Sequence, residues 1–152
     1  MRSFALSFIL TLIALSPSAY AEDASTACTA LVLDYAHHRD NFNAESFANL
    51  FTEDGILIIG EDRWEGRAAI QARIDALDSS ATIRHYMSSI RISPIDADHA
   101  TGVSYVVIYR TPQGSTEITG PALIGDYIDR YIRTEDGWKI AHRELLTTFN
   151  QR

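Results

Sequence analysis

Between Ala24 and Asn41 the apolar positions fall at Ala27, Leu31, Tyr35 and His38, with Leu33 and Ala36 widening the stripe, the 3.6-residue period of an amphipathic helix. Asn43 is placed to cap a second, short helix in which Phe47, Leu50 and Phe51 share a face and Glu45 suits the first turn; Glu53-Asp54-Gly55 ends it. The run Ile56 to Ile59 reads as a strand, followed by a tight Gly60-Glu61-Asp62 turn into Arg63-Trp64-Glu65, and Ile70, Ile74 and Leu77 mark a third helix. After Ser80 the pattern turns to strands over Thr82 to Ile92, Thr101 to Thr111, Ser115 to Arg133 and Trp138 to Phe149. Pro94-x-Asp96-x-Asp98, Pro112-Gln113-Gly114 and Glu135-Asp136-Gly137 separate them as turns, and such short connections make neighbouring strands antiparallel. The pattern predicts an α+β domain in which three N-terminal helices pack on a mainly antiparallel sheet. The strand of Val103, Tyr105, Val107 and Tyr109 also carries Val106 and Ile108 on its other face, so a second apolar face is expected to meet another subunit in a homodimer.

The first twenty-one residues stand apart from this scheme. Arg2, the apolar run Phe4 to Leu15 and Ala19-Tyr20-Ala21 have the three-part layout of a secretory signal, with cleavage expected after Ala21 and a periplasmic or secreted product. The apolar run is too short for a membrane-spanning helix, and Ser25-Thr26-Ala27-Cys28 fits a lipid anchor poorly, so no stable membrane anchor is expected. Taking 21 from 152 residues leaves 131, from Glu22 to Arg152, the size of one domain with its own core. No repeat, low-complexity stretch or Pro/Gly/Ser-rich linker divides it. Without Arg2, 12 basic residues face 20 acidic ones, a formal charge of −8 that repels phosphate backbones and argues against a nucleic-acid partner. Cys28 is the only cysteine, so the chain has no intrachain disulfide.

Chemistry concentrates in a few separated residues. Asp40 follows Ala36 by four positions and so faces the apolar side of the first helix, while His85 alternates in phase with Ile83 and Met87 on a strand face. A carboxylate and an imidazole brought together can move a proton near neutral pH. Asp40 alternatively caps the following helix or is solvated at a frayed end, and a lone strand histidine is commonly a hydrogen-bonded core residue. Tyr35 shares a pocket with Asp40 only if the helix bends or ends there, since five residues turn through about 140°; core packing is its other reading. Arg143, in phase with Ala141 and Leu145, either holds an oxyanion or leaving group or pairs with Asp126 or Asp129. Phe51, Trp64, Tyr105 and Tyr109 are core aromatics by default, with some expected to line a cavity and touch substrate. His37 and His38 project about 100° apart and lack a third ligand, so neither a metal nor another cofactor is expected.

Taken together, Tyr35-x4-Asp40, Phe51-x-x-Asp54-Gly55, Gly66-x3-Ile70, Arg84-His85, Gly125-x-Tyr127-x-Asp129 and Asp136-Gly137-Trp138-x4-Arg143 resemble the SnoaL-like branch of the nuclear transport factor 2-like (NTF2-like) superfamily, in order and spacing. The resemblance implies a cone-shaped α+β barrel with an apolar cavity, often a homodimer. It is strongest at the site with scytalone dehydratase, the bile-acid 7α-dehydratases and hexachlorocyclohexane dehydrochlorinase, where a helix-end aspartate meets a strand histidine as Asp40 and His85 would. Tyr35 matches the tyrosine of the bile-acid enzymes, and Arg143 a late-strand arginine of two of the three. A second histidine or aspartate is missing from the strand Val106 to Arg110, so neither substrate carries over. The function this implies is a cofactor-independent lyase or isomerase acting on a small, largely apolar cyclic or carbonyl compound. A non-catalytic binding protein and an interaction module are the alternatives. A narrow pocket with His85 touching Asp40 favours catalysis, a wide pocket without that contact favours binding, and a filled interior favours interaction.

Overall fold

A computed structural model describes the backbone of residues 17–150 and side chains from Asp23 onward. The expected signal lies outside the described residues over its first sixteen positions, and the expected cleavage point, Ala21, falls within the first helix. Helix α1 spans Pro17–Asp40, α2 Ala44–Ala48 and α3 Arg67–Asp75. Strands β1 (Phe51–Ile59) and β2 (Asp62–Glu65) precede α3, and β3 (Ala81–Pro94), β4 (His99–Pro112), β5 (Leu123–Thr134) and β6 (Gly137–Asn150) follow it. The six strands form one open sheet in the order β2-β1-β6-β5-β4-β3. Every pairing is antiparallel except β1 with β6, which is parallel. Register shifts in β1, β3, β5 and β6 bend the sheet around the helices.

The buried stripe of α1 is Ala24, Cys28, Leu31, Val32, Tyr35 and Ala36; of the expected positions Leu33 is half exposed and Ala27 and His38 are only partly buried, while Cys28 and Val32 turn inward. It lies on the inner sheet face, formed by Ile83 of β3, Val106 and Ile108 of β4, Tyr127 and Tyr131 of β5, and Ile140 and Leu145 of β6. Asp23 fixes the start of this contact, accepting a hydrogen bond from Trp138 Nε1 at 3.0 Å and pairing with Arg133 at 3.3 Å. Cys28 sits in the interior, where burial, followed by the carboxylates of Asp129 and Asp23, pushes its thiol up to about 12.

Two elements differ from the sequence expectation. The second helix stops at Ala48 instead of Gly55, Asn43 makes no side-chain cap, and Phe51 opens β1. The parallel ladder with β6 captures this backbone: Ile140 N donates to Leu50 O at 2.8 Å and Phe51 pairs with Ile140. That long-range ladder outweighs the local helical pattern. Gly55 is needed for the resulting bulge, since a Cβ there would stand 2.9 Å from Phe51 Cβ and 3.0 Å from Thr52 O. The fifth strand begins at Leu123 and not at Ser115. Pro121 has no N–H for a ladder, and Ser115 and Glu117 hydrogen-bond each other locally instead.

The outer face of the sheet carries Tyr86, Val103, Tyr105, Val107, Ile124, Ile128, Leu146 and Phe149, joined across strands by the register. Tyr105 is 51% exposed and Phe149 66%. Val103, Tyr105, Val107 and Tyr109 therefore form the outward row of β4, with Val106 and Ile108 inward.

Candidate functional site

Helix α1 ends where the chemistry begins. Its last turn carries His37, His38 and Arg39, the last a cation that suits a helix C-terminus, and Asn41 Nδ2 donates to His37 O at 2.7 Å. Asn43 N donates to His38 O at 3.0 Å and Phe42 N to Arg39 O at 3.4 Å, the bond pattern of a left-handed helix stop, with Phe42 at φ 56° in the position glycine usually fills. Such a conformation costs about 1–2 kcal/mol in a non-glycine residue, and Phe42 offsets it by packing on the core and under Arg39, whose guanidinium lies 5.4 Å from the ring centroid. The stop leaves Asp40 as the final helical residue, beside β3.

Asp40 clamps His85 twice. Its Oδ1 lies 2.6 Å from His85 Nδ1, and its Oδ2 accepts the His85 backbone N–H at 2.9 Å. Both side chains are nearly buried, 8% and 4% exposed. β3 is a sheet edge, so the carboxylate takes a backbone donor that a further strand would otherwise claim. A carboxylate accepting at Nδ1 selects the tautomer protonated there, which leaves Nε2 with its lone pair. Nε2 makes no hydrogen bond to the described residues.

Tyr35 is 1% exposed in an aromatic cluster, its ring centroid 4.6 Å from Phe47 and 5.2 Å from Tyr127. Burial, followed by the neighbouring Tyr35, pushes the Tyr127 hydroxyl well up. Arg143 is fully buried. Its Nε and Nη2 each donate to Asp129 at 2.7 Å, and its guanidinium carbon lies 4.2 Å from the Tyr35 ring centroid and 4.7 Å from that of Tyr127. Tyr131 donates a third bond to Asp129 at 2.6 Å. Burial alone would weaken the Arg143 charge, but the Asp129 carboxylate outweighs it and holds the pKa above its usual value. Of the two readings open to Arg143, the structure realises the pairing with Asp129, and only Nη1 is left without a partner.

The expected aromatic lining divides. Phe51 is buried against Phe47 and Tyr35, and Trp64 stacks under Arg73, 4.6 Å from its guanidinium carbon. Tyr105 and Tyr109 correct the expectation: strand alternation puts them on the face opposite His85, which pairs with inward Ile108. Tyr109 lines an outer groove of about 480 Å³ with Tyr86, Val107 and Ile118. A far smaller cavity, about 40 Å³, is bordered by Arg39, Phe42, Leu77, Asp78, Ala81, Ile83 and Arg110, residues of the elements that carry Asp40 and His85 and of their neighbours, without the dyad itself. It has room for little more than a water molecule. His37 and His38 stack edge to face with centroids 5.3 Å apart.

Arg39, Arg73 and Tyr127 were not evident as site residues in the sequence. Arg39 follows Tyr35 by four positions and Arg73 follows Ile70 by three, so helical phase carried the signal: each places a cation beside a buried stripe.

The buried pair gives a stability test. Arg143→Met should cost about 3–5 kcal/mol, because it strands the Asp129 carboxylate in the core. Arg143→Met combined with Asp129→Leu should cost less than the two single changes added together. Urea unfolding followed by tryptophan fluorescence measures both; a fully additive double variant would show the pair uncoupled.

Comparison with solved structures gives the same architecture. A point variant of Rv3472, a protein of unknown function from Mycobacterium tuberculosis, aligns at 29% identity and TM-score 0.70, covering 80% of this chain and 70% of that one. A candidate scytalone dehydratase from Novosphingobium aromaticivorans aligns at 26% identity and TM-score 0.72, covering 83% and 85%. The hexachlorocyclohexane dehydrochlorinase LinA type 2 shares the fold at 16% identity and TM-score 0.72, covering 83% and 86%. No curated protein matches the sequence significantly. The model of the SnoaL-like domain matches residues 22–144, from just past the expected cleavage point to the strand that carries Arg143, and the chain belongs to that family.

Proposed function

We propose that this chain is a cofactor-independent lyase or isomerase that removes a carbon-bound proton from a small, largely apolar compound. One observation carries the reading: the 2.6 Å contact that joins Asp40 and His85 in a nearly buried setting. In the proposed reaction Nε2 takes the proton, and the C–H electron pair moves into a new carbon–carbon double bond. In an elimination that bond expels hydroxide or halide from the neighbouring carbon; in an isomerisation the proton returns to a different carbon. Asp40 holds the ring and stabilises the imidazolium as it forms. The Tyr35 hydroxyl is the group proposed to assist the departing oxygen or halide. Arg143, with two of its nitrogens on Asp129, is proposed to support Tyr35 and Tyr127 from behind. The scytalone dehydratase and dehydrochlorinase names among the structural neighbours support this class of chemistry.

The second reading, a non-catalytic binding or interaction module, is favoured by the nearly filled interior and by the larger groove on the outer sheet face. Solvent-deuterium exchange separates the two. A panel of cyclic ketones, hydroxy compounds and halides is incubated in heavy water with the protein and followed by NMR. Wild type should exchange or eliminate at least one of them. His85→Gln should lower that rate about 10²–10⁴-fold, Asp40→Asn should lower it substantially, and the double variant should be little worse than the poorer single one. Wild-type turnover in His85→Gln would leave the binding reading in its place.

A homodimer through the outer face is part of the same proposal. The apolar surface of Tyr86, Tyr105, Leu146 and Phe149 is flanked by Arg84, Arg91 and Arg130 and by Asp126 and Glu144, none of which makes an ion pair among the described residues. A two-fold axis brings a patch onto its own copy, where this mixed charge is self-complementary. Light scattering should give twice the chain mass, and Tyr105→Glu should give the monomer; a wild-type mass equal to one chain at all concentrations removes the proposal.

Export is likewise proposed, from the amino-terminal pattern and from the family match beginning at residue 22. Among the described residues no helix is long and apolar enough to cross a membrane. Intact-mass analysis of the soluble protein made from the full gene should give a chain starting at Glu22; a soluble product that retains Met1 counts against it.

A further inference from the structure

Two cations, Arg39 on the end of α1 that carries Asp40 and Arg73 on α3, have no ion-pair partner among the described residues. The nearest candidate, Asp40, spends both oxygens on His85. Arg39 Nη1, Arg73 Nε and Arg73 Nη1 are all buried and make no hydrogen bond. The guanidinium carbons lie over aromatic rings, Arg39 over Phe42 at 5.4 Å and Arg73 over Trp64 at 4.6 Å, contacts that use the charge but none of the N–H donors. Burial, and next the like charge of Arg73, lower the Arg39 pKa below its usual value, as expected of two cations that share one enclosed space. Arg39 borders the small cavity together with Phe42, Leu77 and Ile83. Arg110 borders it too, but has Asp78 as an electrostatic partner, which leaves Arg39 and Arg73 as the unbalanced pair.

We infer that the ligand of this site is an anion of the carboxylate class, held by the in-plane N–H groups of Arg39 and Arg73 with its apolar body directed toward Trp64 and the dyad. A guanidinium presents paired donors in the geometry that two carboxylate oxygens accept. An anion set between the two cations would relieve their mutual repulsion and satisfy three buried donors together. A neutral carbonyl or hydroxyl oxygen could accept from one of these donors but would leave the repulsion in place. The inference builds on the reading of the Asp40–His85 cavity as a ligand site but does not depend on proton transfer. It narrows the substrate class to small apolar carboxylic acids.

The test uses the mature protein and two probes of nearly equal shape, benzoate and benzyl alcohol. Binding is followed by Trp64 and Trp138 fluorescence, by calorimetry and by thermal shift. Benzoate should bind wild type and raise its melting temperature, and benzyl alcohol should bind at least tenfold more weakly. Arg39→Gln and Arg73→Gln should each weaken benzoate at least tenfold, with Arg39→Lys intermediate. His85→Gln should still bind benzoate in preference to benzyl alcohol, so a failure of the catalytic reading leaves this result intact. Equal affinity for the two probes, wild-type benzoate binding by both glutamine variants, or no benzoate binding by wild type at millimolar concentration would each overturn the inference.

Discussion

The Arg143–Asp129 ion pair is the constraint around which the interior is arranged. Taking two charges fully out of water costs several kcal/mol per ion unless the geometry returns it. Here the return comes from two parallel 2.7 Å bonds, a third bond from Tyr131, and two tyrosine rings against the guanidinium. The pair joins β5 to β6 at registered positions, and the rings it supports belong to the sheet and to α1. A side chain without direct contact to the dyad thus fixes the helix whose end delivers Asp40. Gly102 belongs to the same arrangement. A Cβ there would stand 2.9 Å from Tyr131 Cε2, so the absence of a side chain on β4 is what lets Tyr131 reach its position under Asp129.

The dyad is built from two kinds of stop. Helix α1 ends in a left-handed turn at Phe42, and the sheet ends at β3. Asp40 joins the two by giving one oxygen to a backbone donor and the other to an imidazole. Holding both the peptide and the ring of one residue removes the rotational freedom that a single bond would leave, so the Nε2 lone pair is aimed by the fold and not by the ligand. The remaining polar groups follow in sequence along the interior: Tyr35 and Tyr127, then the two arginines, with Trp64 and Phe42 as their apolar supports.

Much of this was legible in the chain before any coordinates. Phase puts Asp40 on the apolar side of a helix and His85 on an apolar strand face but leaves capping and core readings open for each, and it is the resemblance to the SnoaL-like branch that pairs them. The Gly125-x-Tyr127-x-Asp129 spacing reads directly as three inward residues of β5: a Cβ at Gly125 would lie 2.5 Å from Leu146 O, Tyr127 stacks on Arg143, and Asp129 pairs with it. What escaped depended on distant partners. Phe51 has helical phase with Phe47, yet β6, some ninety residues later in the chain, claims it for a strand. Tyr105 and Tyr109 could be grouped on one face, but which face turns inward is decided by where the helices lie. Arg39 and Arg73 escaped for a different reason: an arginine beside an apolar stripe ordinarily extends its charge to water, and only the packed structure shows that these heads stay inside.

The double grip of Asp40 also bears on how the chain stays apart from its neighbours. An edge strand with free N–H and C=O groups is a template on which another chain can add, and β3 is long enough to serve as one. At His85 the helix end has already taken the donor such an addition would use. Replacements at this position divide by chemistry: asparagine keeps an oxygen for the peptide and loses the charge, whereas alanine opens the edge as well. One side chain thus occupies a donor of the sheet edge and holds a ring in place, so a change there reaches the strand and the imidazole together.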